Sequence, residues 1–252
     1  MDIKNVVEDY WNFRCASYTN GITGFCEEER EAWKQILSDA LPSGKHLKVL
    51  DVGTGAGFLA LLLAEMGHEV SGVDISAGML EKARQNAGKL GVDVNFSLGD
   101  AENLPFEDSS FDLVVNKYLL WTLPEPPRAL QEWKRVLKSG GQVCAIDGNW
   151  FDPGLLPGLK RYLKSSFRIF VKKDRYPSLF QECYTPIRPF LPLYRDINPK
   201  NVSELFMNSG LTEVETDPLL GILHFENSRL PLLQRVFRDY QIFLISGKKR
   251  KS

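Results

Sequence analysis

Apolar and polar residues alternate in two rhythms between residues 47 and 147. Short apolar runs typical of strands alternate with longer segments in which apolar residues recur every three or four positions, as on one face of a helix. The strand-like runs are LKVLDVG, HEVSGVD, DVNFSLGD, FDLVVN and GQVCAID. Strands that alternate with helices indicate an α/β protein with a parallel sheet covered by helices on both faces.

Helical patterns flank this region on both sides. Apolar residues recur at helical spacing from residue 3 to residue 18, and a second helix is predicted from Glu27 to Leu41. Residues 148–198 interrupt the alternation with clustered prolines and ten aromatic residues, which indicates an insertion that is helical in part. Beyond it a helix is predicted from Asn198 to Asn208, and TEVETDPLL and YQIFLISGKK predict two further strands.

Residues that favour helix ends define two helices within the alternating region. Ser76 is a good N-cap for a helix that finishes at Gly91. Pro126 or Pro127 suits the first turn of another helix, which is predicted to finish at the glycine pair 140–141. Both helices therefore fit between the predicted strands.

Composition and charge exclude several classes of protein. The chain has 252 residues, of which 43% are apolar, and this is enough to bury a substantial core. Lys and Arg number 31 against 32 Asp and Glu, so no overall field draws the chain onto nucleic acid or an acidic membrane. No apolar run is long enough to cross a bilayer and the N-terminus lacks a signal-peptide pattern, which together predict a cytoplasmic protein without a membrane partner.

The cysteines do not indicate a metal site. They show no CxxC spacing and have no histidine nearby in sequence, so reduced thiols used as small apolar side chains are expected. The four are Cys15, Cys26, Cys144 and Cys183.

The first strand of the region ends in the glycine-rich stretch VLDVGTGAGF, residues 49–58. Gly53, Gly55 and Gly57 allow a sharp turn whose amides can approach a ligand closely. A dinucleotide-binding loop requires G-x-G-x-x-G, whereas here the third glycine comes one residue early and Phe58 takes the expected place. The stretch predicts a ligand-binding turn, and it fits a nicotinamide cofactor imperfectly.

Acidic residues end the next two strands. Asp74 ends the second strand, where a carboxylate can accept hydrogen bonds from both hydroxyls of a ribose. Asp100 ends the third, where it can accept a hydrogen bond from an adenine amine while Ala101 offers a backbone amide. Since ligands of open parallel sheets bind beyond the carboxyl ends of the strands, these residues predict a nucleoside site.

Four stretches together resemble the motifs of class I S-adenosylmethionine-dependent methyltransferases. They are VLDVGTGAG, VSGVDIS, GDAENLPFEDSSFDLVV and RVLKSGG, and they follow the family's order and spacing across residues 47–147. Within the family the sequence is most similar to the small-molecule type that includes quinone-biosynthesis C-methyltransferases.

This resemblance implies a Rossmann-like doubly wound sheet of seven strands, mostly parallel, with one antiparallel strand near the C-terminus. It also implies S-adenosyl-L-methionine as cofactor. The expected organisation is an N-terminal helical lid, a cofactor-binding core, a substrate-side insertion, and a C-terminal helix and strands that complete the core. These parts correspond to residues 1–44, 45–147, 148–198 and 199–252.

The resemblance also implies roles for individual residues. Asp51, Gly53 and Gly55 would hold the methionine end and Asp74 the ribose. Ile75 and Met79 would pack on the adenosine, while Asp100 and Ala101 would read the adenine. Asn116 would lie beside the methionine carboxylate or the sulfonium, with Lys117 and Tyr118 at the mouth of the acceptor pocket. Tyr18 is the favoured lid aromatic, ahead of Tyr10, Trp11 and Arg14.

The predicted reaction is in-line transfer of a methyl group to a small molecule, with S-adenosylhomocysteine as product. Alignment and exclusion of water supply most of the rate. A hydroxyl or carbon-acid acceptor also needs a base, and Trp121 stands where many relatives carry a histidine. The candidates for that base are Tyr118, Asp147 and Tyr184.

The nature of the acceptor and two other functions stay open. The insertion carries nine Lys or Arg against four Asp or Glu, interleaved with aromatic residues, which suits an acidic or aromatic small molecule. Nucleic acid is a rival acceptor, disfavoured because NKYLLW stands where an NPPY-like tetrapeptide is expected. The alternative functions are a non-catalytic module that binds S-adenosylmethionine and a nicotinamide-dependent oxidoreductase.

Overall fold

The computed structural model describes residues 2–18, 27–42, 46–149, 176–229 and 241–251. Within these residues, seven strands form one sheet: β1 (Lys48–Val52), β2 (Glu69–Asp74), β3 (Asn95–Leu98), β4 (Phe111–Lys117), β5 (Leu137–Gly148), β6 (Thr212–Asp217) and β7 (Ile242–Lys248). The helices are α1 (Ile3–Arg14), α2 (Glu27–Ala40), α3 (Phe58–Glu65), α4 (Ala77–Leu90), α5 (Pro126–Val136), α6 (Tyr176–Ile187), α7 (Pro199–Asn208) and α8 (Leu220–Arg229).

The strand order in the sheet is β3-β2-β1-β4-β5-β7-β6. Strands β1 to β5 pair in parallel, whereas β7 runs antiparallel to both of its neighbours, β5 and β6. The expected Rossmann-like sheet of seven strands with one antiparallel strand is therefore confirmed.

Helices cover both faces of the sheet, and each face has its own apolar core. Helices α1, α5, α6 and α7 pack on one face, where Trp133 of α5 and Phe206 of α7 are fully buried. Helices α2, α3, α4 and α8 pack on the other, where Trp33 of α2 and Leu61 of α3 are buried. The sequence of α3, FLALLLAE, is apolar almost all round because this helix is enclosed by its neighbours.

Helix α4 begins and ends where its cap residues predict. The Ser76 side chain accepts a hydrogen bond from the Met79 amide, and Gly91 closes the helix in the left-handed region. Helix α7 likewise begins after Asn198, whose side chain accepts from the Asn201 amide.

Helix α5 is shorter than predicted. It ends at Val136, because Leu137 is fully buried and already pairs with Phe111 at the start of β5. Gly140 and Gly141, expected just beyond the helix, lie inside β5 at an irregular register between β4 and β5. The glycine pair thus accommodates a bulge, where close backbone approach favours glycine.

The stretch TEVETDPLL is only in part a strand. Strand β6 ends at Asp217, whose side chain accepts a hydrogen bond from the Leu219 amide at 2.7 Å. Pro218 cannot donate to a neighbouring strand, and α8, which the periodicity did not predict, begins at Leu220.

In the N-terminal region, the predicted helical pattern over residues 3–18 continues past α1 only as a short 3-10 turn, Cys15–Ser17. In the predicted insertion, residues 150–175 lie outside the described part of the chain, and α6 supplies the expected helix from residue 176. The division of the chain into a lid, a core, an insertion and a C-terminal part stays a prediction.

Candidate cofactor and acceptor site

A cavity of about 640 Å³ opens at the carboxyl ends of the first four strands. Because β1 lies between β2 and β4, the strand order reverses here, which is where open α/β sheets bind ligands. Most of the predicted site residues line this cavity: Tyr18, Gly53, Gly55, Asp74, Ile75, Met79, Asp100, Ala101 and Tyr118. The others do not line the cavity and are buried in the protein: Asp51, Asn116, Asp147 and Tyr184.

The glycine-rich turn after β1 folds back on the end of β2. The amides of Gly53 and Thr54 both donate to the Val73 carbonyl, at 2.8 and 3.0 Å. Gly53 has a φ of +68°, and a Cβ there would lie 2.8 Å from Leu119 Cδ1, so glycine is required. At Gly55 no other described atom lies within 4 Å of the place a Cβ would take. The Gly55 backbone is therefore open to a ligand in the cavity.

Asp51 supports this turn from beneath. Its Oδ2 accepts hydrogen bonds from Thr54 Oγ1 at 2.7 Å and from the Ala60 amide at 3.1 Å. Burial raises the pKa of the Asp51 carboxyl to about 7. The carboxylate thus ties the turn to α3, and its predicted contact with the methionine end of the cofactor stays a prediction.

Asp74 is held rigidly at the end of β2. One carboxylate oxygen accepts from the Gly55 amide at 2.8 Å and the other from the Ser76 amide at 2.9 Å. Burial raises the pKa of Asp74 to about 6, so the group is mostly ionised at neutral pH. Ile75 and Met79, predicted to pack on adenosine, line the same wall of the cavity. The predicted contact of this carboxylate with ribose hydroxyls stays a prediction.

Asp100, at the end of β3, contacts both Glu102 and Lys4. Its Oδ1 accepts from the Glu102 amide at 2.9 Å, and its Oδ2 lies 2.6 Å from Lys4 Nζ of α1. Lys4 also lies 2.6 Å from Glu102 Oε2. The predicted adenine residue Ala101 lines the cavity between these two acids, and its carbonyl accepts from the Trp133 indole at 3.1 Å.

Lys4 and Glu102 also line the cavity, although the sequence patterns did not predict them there. Lys4 stands one helical turn before Val7 and two before Trp11 on α1, and all three line the cavity. Helical spacing ahead of the lid aromatics was therefore a signal that could have found Lys4. Glu102 follows Asp100 within the motif GDAENLPF and could have been found from it.

Helix α1 is fastened over the start of α4. Asn12 Oδ1 accepts from Ser76 Oγ at 2.8 Å and from the Gly78 amide at 3.0 Å. The Arg14 guanidinium lies 5.6 Å from the centre of the Tyr18 ring, and both residues line the cavity. The predicted lid aromatic is thereby placed at the cavity, while its closure over a cofactor stays a prediction.

The end of β4 combines an unpartnered amide with a strained backbone. Asn116 is fully buried, and neither its Nδ2 nor its Oδ1 has a hydrogen-bond partner among the described residues. Tyr118 has a φ of +62°, a region that non-glycine residues rarely adopt, and its amide donates to the Ile146 carbonyl at 2.8 Å. Such features cluster at functional sites.

Lys117 stands between these two residues, and its half-buried side chain lines the cavity among aromatic rings. Its Nζ lies 3.8 Å from the centre of the Tyr118 ring, 4.2 Å from that of Phe58 and 5.5 Å from that of Trp33. Burial lowers the pKa of Lys117 to about 7, although Asp147, Asp51 and Glu29 oppose the shift.

Two of the predicted bases are enclosed. Asp147 is fully buried, and its two oxygens accept from the Leu120 amide at 3.2 Å and the Gly148 amide at 2.9 Å. Tyr184 is 1% exposed and stacks on Phe180 with ring centres 4.5 Å apart, and burial raises the pKa of its hydroxyl well above the usual value. Of the three predicted bases, only Tyr118 lines the cavity.

Neither a metal-binding cluster nor a membrane-spanning helix is found among the described residues. No group of three or more His, Cys, Asp or Glu side chains in this part of the chain could hold a metal ion. Nor does any helix there combine the length and apolarity that a membrane crossing needs.

Comparisons with known proteins agree with this geometry. A family model described as a methyltransferase domain matches residues 50–145. The demethylmenaquinone methyltransferase of Staphylococcus aureus (strain MRSA252) is 36% identical over 177 residues, which cover 66% of this chain and 71% of that protein. The biotin biosynthesis bifunctional protein BioHC of Cellvibrio japonicus is 35% identical over 162 residues, which cover 64% of this chain and 30% of that protein.

A solved structure shows the same fold at low identity. Phosphoethanolamine N-methyltransferase 2 of Haemonchus contortus, in complex with S-adenosyl-L-methionine, aligns with a TM-score of 0.66 and 20% identity, covering 100% of this chain and 60% of that one.

These matches differ in extent. The chain spans between 30% and 52% of the length of three of the curated relatives that it matches. The relative from Staphylococcus aureus, by contrast, is covered over more than two thirds of its length. The sequence motifs, the strand order and these relatives together show that the chain belongs to the family of S-adenosylmethionine-dependent methyltransferases.

Proposed function

We propose that this protein transfers the methyl group of S-adenosylmethionine to a small-molecule acceptor and releases S-adenosylhomocysteine. The observation that carries the proposal is the cavity at the strand ends, where the open turn at Gly55, the Asp74 carboxylate and the Asp100 carboxylate face one space. They follow the neighbouring strands β1, β2 and β3, which suits the proposed placement of methionine, ribose and adenine.

The residues present fit this cofactor. The Gly55 backbone is bare where a Cβ would obstruct a ligand, and Asp74 is fixed by two amides with lone pairs left to accept hydroxyl donors. Asn116, the last residue but one of β4, is buried without a partner among the described residues and would hydrogen-bond the methionine end. An orphaned amide of this kind favours a ligand that completes its hydrogen bonds.

When bound, the cofactor supplies an electrophilic methyl group on a positively charged sulfur. The protein's own contribution is to align the acceptor with that methyl group and to exclude water, and alignment alone can be worth about 7 to 11 kcal/mol. Helix α1 closes one side of the cavity through Val7, Tyr10 and Trp11. Asp74, Asp100 and Gly55 would hold the cofactor while this helix covers it.

The acceptor side favours an aromatic ring. Tyr10, Trp121, Leu123 and Phe180 line the cavity with apolar and aromatic surface. Arg14 and Lys4, by contrast, are already engaged with Tyr18 and with the acids at the end of β3. We infer an aromatic acceptor of quinone type in its reduced, hydroxyl-bearing form, which is in keeping with relatives named demethylmenaquinone methyltransferase.

A transfer assay with labelled cofactor tests the proposal. Purified protein would be incubated without oxygen with methyl-labelled S-adenosylmethionine and one of four acceptors: 1,4-naphthohydroquinone, 2-naphthol, benzoate or ethanolamine. Label is expected in the hydroxylated aromatic compounds, with equal release of S-adenosylhomocysteine. Asp74→Ala should abolish transfer. Asp112→Ala should retain it, because Asp112 lies at the opposite end of β4 and binds Lys48 and Lys138.

The alternative functions give different results in the same assay. A non-catalytic module would bind S-adenosylhomocysteine but transfer no label to any acceptor, and an oxidoreductase would bind NADH instead. Transfer to benzoate or ethanolamine alone would support methyl transfer to a small molecule but refute the proposal of an aromatic hydroxyl acceptor.

A further inference from the structure

We infer that Lys117, which lines the cavity, is the proton acceptor of this site and takes a proton from a hydroxyl of the methyl acceptor. This inference rests on the proposed function and assigns a role that the candidates Tyr118, Asp147 and Tyr184 were expected to fill. Asp147 and Tyr184 are enclosed by protein, whereas Lys117 lines the cavity beside the glycine-rich turn and the end of β4.

Several other titratable groups of the cavity are committed elsewhere, whereas Tyr118 lines it beside Lys117 as a competing base. Asp74 holds two backbone amides, and Lys4 joins Asp100 and Glu102 in ion pairs. Tyr10 is buried, and this raises the pKa of its hydroxyl to about 12. Arg14 carries a guanidinium, which does not lose its proton in proteins.

The surroundings of Lys117 allow it to be neutral. No ion pair joins Lys117 to a carboxylate within the described ranges, so no contact charge offsets its burial. The centres of three aromatic rings lie within 5.5 Å of its Nζ, and these rings, as cation–π partners, favour the ammonium form alongside the acids. Burial lowers its pKa to about 7, which is near the value that a base working at neutral pH needs. A cationic sulfonium in the same cavity would lower it further, since like charges disfavour one another.

The charged groups that face Lys117 come from several elements. Asp51 of β1, Asp147 of β5 and Glu29 of α2 favour the ammonium form, and Tyr118 adds a phenol beside it, whereas α3 presents only the Phe58 ring. The acids keep the pKa of Lys117 from falling far below neutrality. The amine can therefore take up a proton during the reaction and return it to solvent afterwards.

The inferred step begins with transfer of the hydroxyl proton to Lys117. The acceptor O–H bond breaks, the proton joins the lone pair of Lys117 Nζ, and the electron pair of that bond stays on the acceptor oxygen. This electron pair attacks the methyl carbon as the carbon–sulfur bond breaks, and the pair of the broken bond stays on sulfur. Attack through a conjugated ring carbon leaves a proton on that carbon, which passes to solvent water while the electron pair of the broken C–H bond restores the ring.

Two substitutions separate a proton acceptor from a fixed positive charge. Lys117→Met removes the amine and keeps an unbranched apolar chain among the rings, and Lys117→Arg keeps the charge but cannot accept a proton. We expect both variants to lower kcat/KM for 1,4-naphthohydroquinone by about a hundredfold or more, the usual contribution of a general base. Their affinity for S-adenosylhomocysteine should stay close to that of the wild type.

Two pH titrations complete the test. In wild-type protein, kcat/KM should rise with pH through a midpoint near neutrality, and this limb should disappear in both variants. In full-length protein labelled with 13C-lysine and bound to S-adenosylhomocysteine, the Lys117 Cε signal, assigned from Lys117→Met, should titrate with the same midpoint. If Lys117→Met fails to fold, the signal is assigned from Lys117→Arg instead, and this second titration is the deciding measurement.

The outcomes distinguish the two proposals. Wild-type activity and pH dependence retained in Lys117→Arg would show that Lys117 only anchors an anion, and a Lys117 signal that stays protonated above pH 9 would likewise overturn the inference. If wild-type protein binds S-adenosylhomocysteine but methylates none of the acceptors, the proposed function fails and the inference fails with it.

Discussion

Replacement of Asp74 by alanine tests the proposed cofactor site at its best-defined residue. The carboxylate lines the cavity at the end of β2, and its two oxygens already accept from the Gly55 and Ser76 amides. Each oxygen retains a lone pair that can accept one ribose hydroxyl. The alanine variant therefore removes two hydrogen bonds to an ionised group.

The expected loss of affinity follows from those two bonds. Hydrogen bonds to charged groups contribute about 1.5 to 3 kcal/mol each. Their sum, about 3 to 6 kcal/mol, corresponds to binding that is roughly a hundredfold to ten-thousandfold weaker. The burial that raises the pKa of Asp74 to about 6 leaves most of the group ionised at pH 7, so nearly the full effect is expected there.

Calorimetric titration with S-adenosylhomocysteine at pH 7.5 measures this loss, with NADH as the competing ligand. Asp74→Ala also leaves the Gly55 and Ser76 amides without their acceptor, so thermal unfolding must show that the variant is folded. Asp112→Ala is the matched control, because it removes a carboxylate that accepts from the Lys48 amide and pairs with Lys138 at the other end of the sheet. Equal affinity of Asp74→Ala and wild type would refute the ribose site. Tight NADH binding would refute S-adenosylmethionine as the cofactor.

Three further predictions follow from single contacts. Binding of S-adenosylhomocysteine should weaken as pH falls below about 6, because Asp74 takes up a proton there; calorimetry at stepped pH checks this, and Asp74→Ala should lack the effect. Ser76→Ala should lower the free energy of unfolding by about 1 kcal/mol, since the Ser76 hydroxyl accepts from the Met79 amide at the start of α4; an unchanged urea midpoint would contradict it. Trp133→Ala should cost about 3 to 5 kcal/mol in the same unfolding assay, since Trp133 is fully buried, and a loss below 1 kcal/mol would contradict its place in the core.

Most of the sheet could be predicted because its strands are nearly continuous apolar runs. Residues 49–52 of β1 are all buried, and β4 is similarly enclosed, as expected of central parallel strands. The ends of elements were harder to predict where a glycine had two possible roles. Gly91 ends a helix, whereas Gly140 belongs to an irregular strand, and only the pairing of Leu137 with Phe111 distinguishes the two cases.

The position of Asp74 and Asp100 at the cavity could be predicted because it depends on strand ends. Asp74 and Asp100 follow parallel strands, and the carboxyl ends of such strands meet at one edge of the sheet. The same reasoning could not place Asp147, which also lies near a strand end. Strand β5 continues to Gly148 and pairs Asp147 with Phe243 of β7, so the neighbouring strand encloses the carboxylate.

The acceptor side could not be predicted in this way because its character depends on helices distant in sequence. Trp33 of α2 and Phe58 of α3 meet at Lys117, and Phe180 of α6 meets Tyr10 of α1. No local pattern around Lys117 indicates those rings. These rings meet only because their helices pack on the same sheet, and that packing depends on apolar contacts throughout the core.

Lys4 and Lys117 both line the cavity, and their surroundings shift their pKa values in opposite directions. Burial lowers the pKa of Lys4, but its hydrogen bonds to Asp100 and Glu102 outweigh this and raise the pKa above the usual value, so Lys4 stays charged. Burial of the side chain lowers the pKa of Lys117 to about 7. Lys4 offsets one of the two acids near β3, and Asp74 adds a further negative charge, so this side of the cavity is acidic at neutral pH. An acidic wall stabilises a sulfonium cation, and the unprotonated form of Lys117 adds no charge that would oppose it.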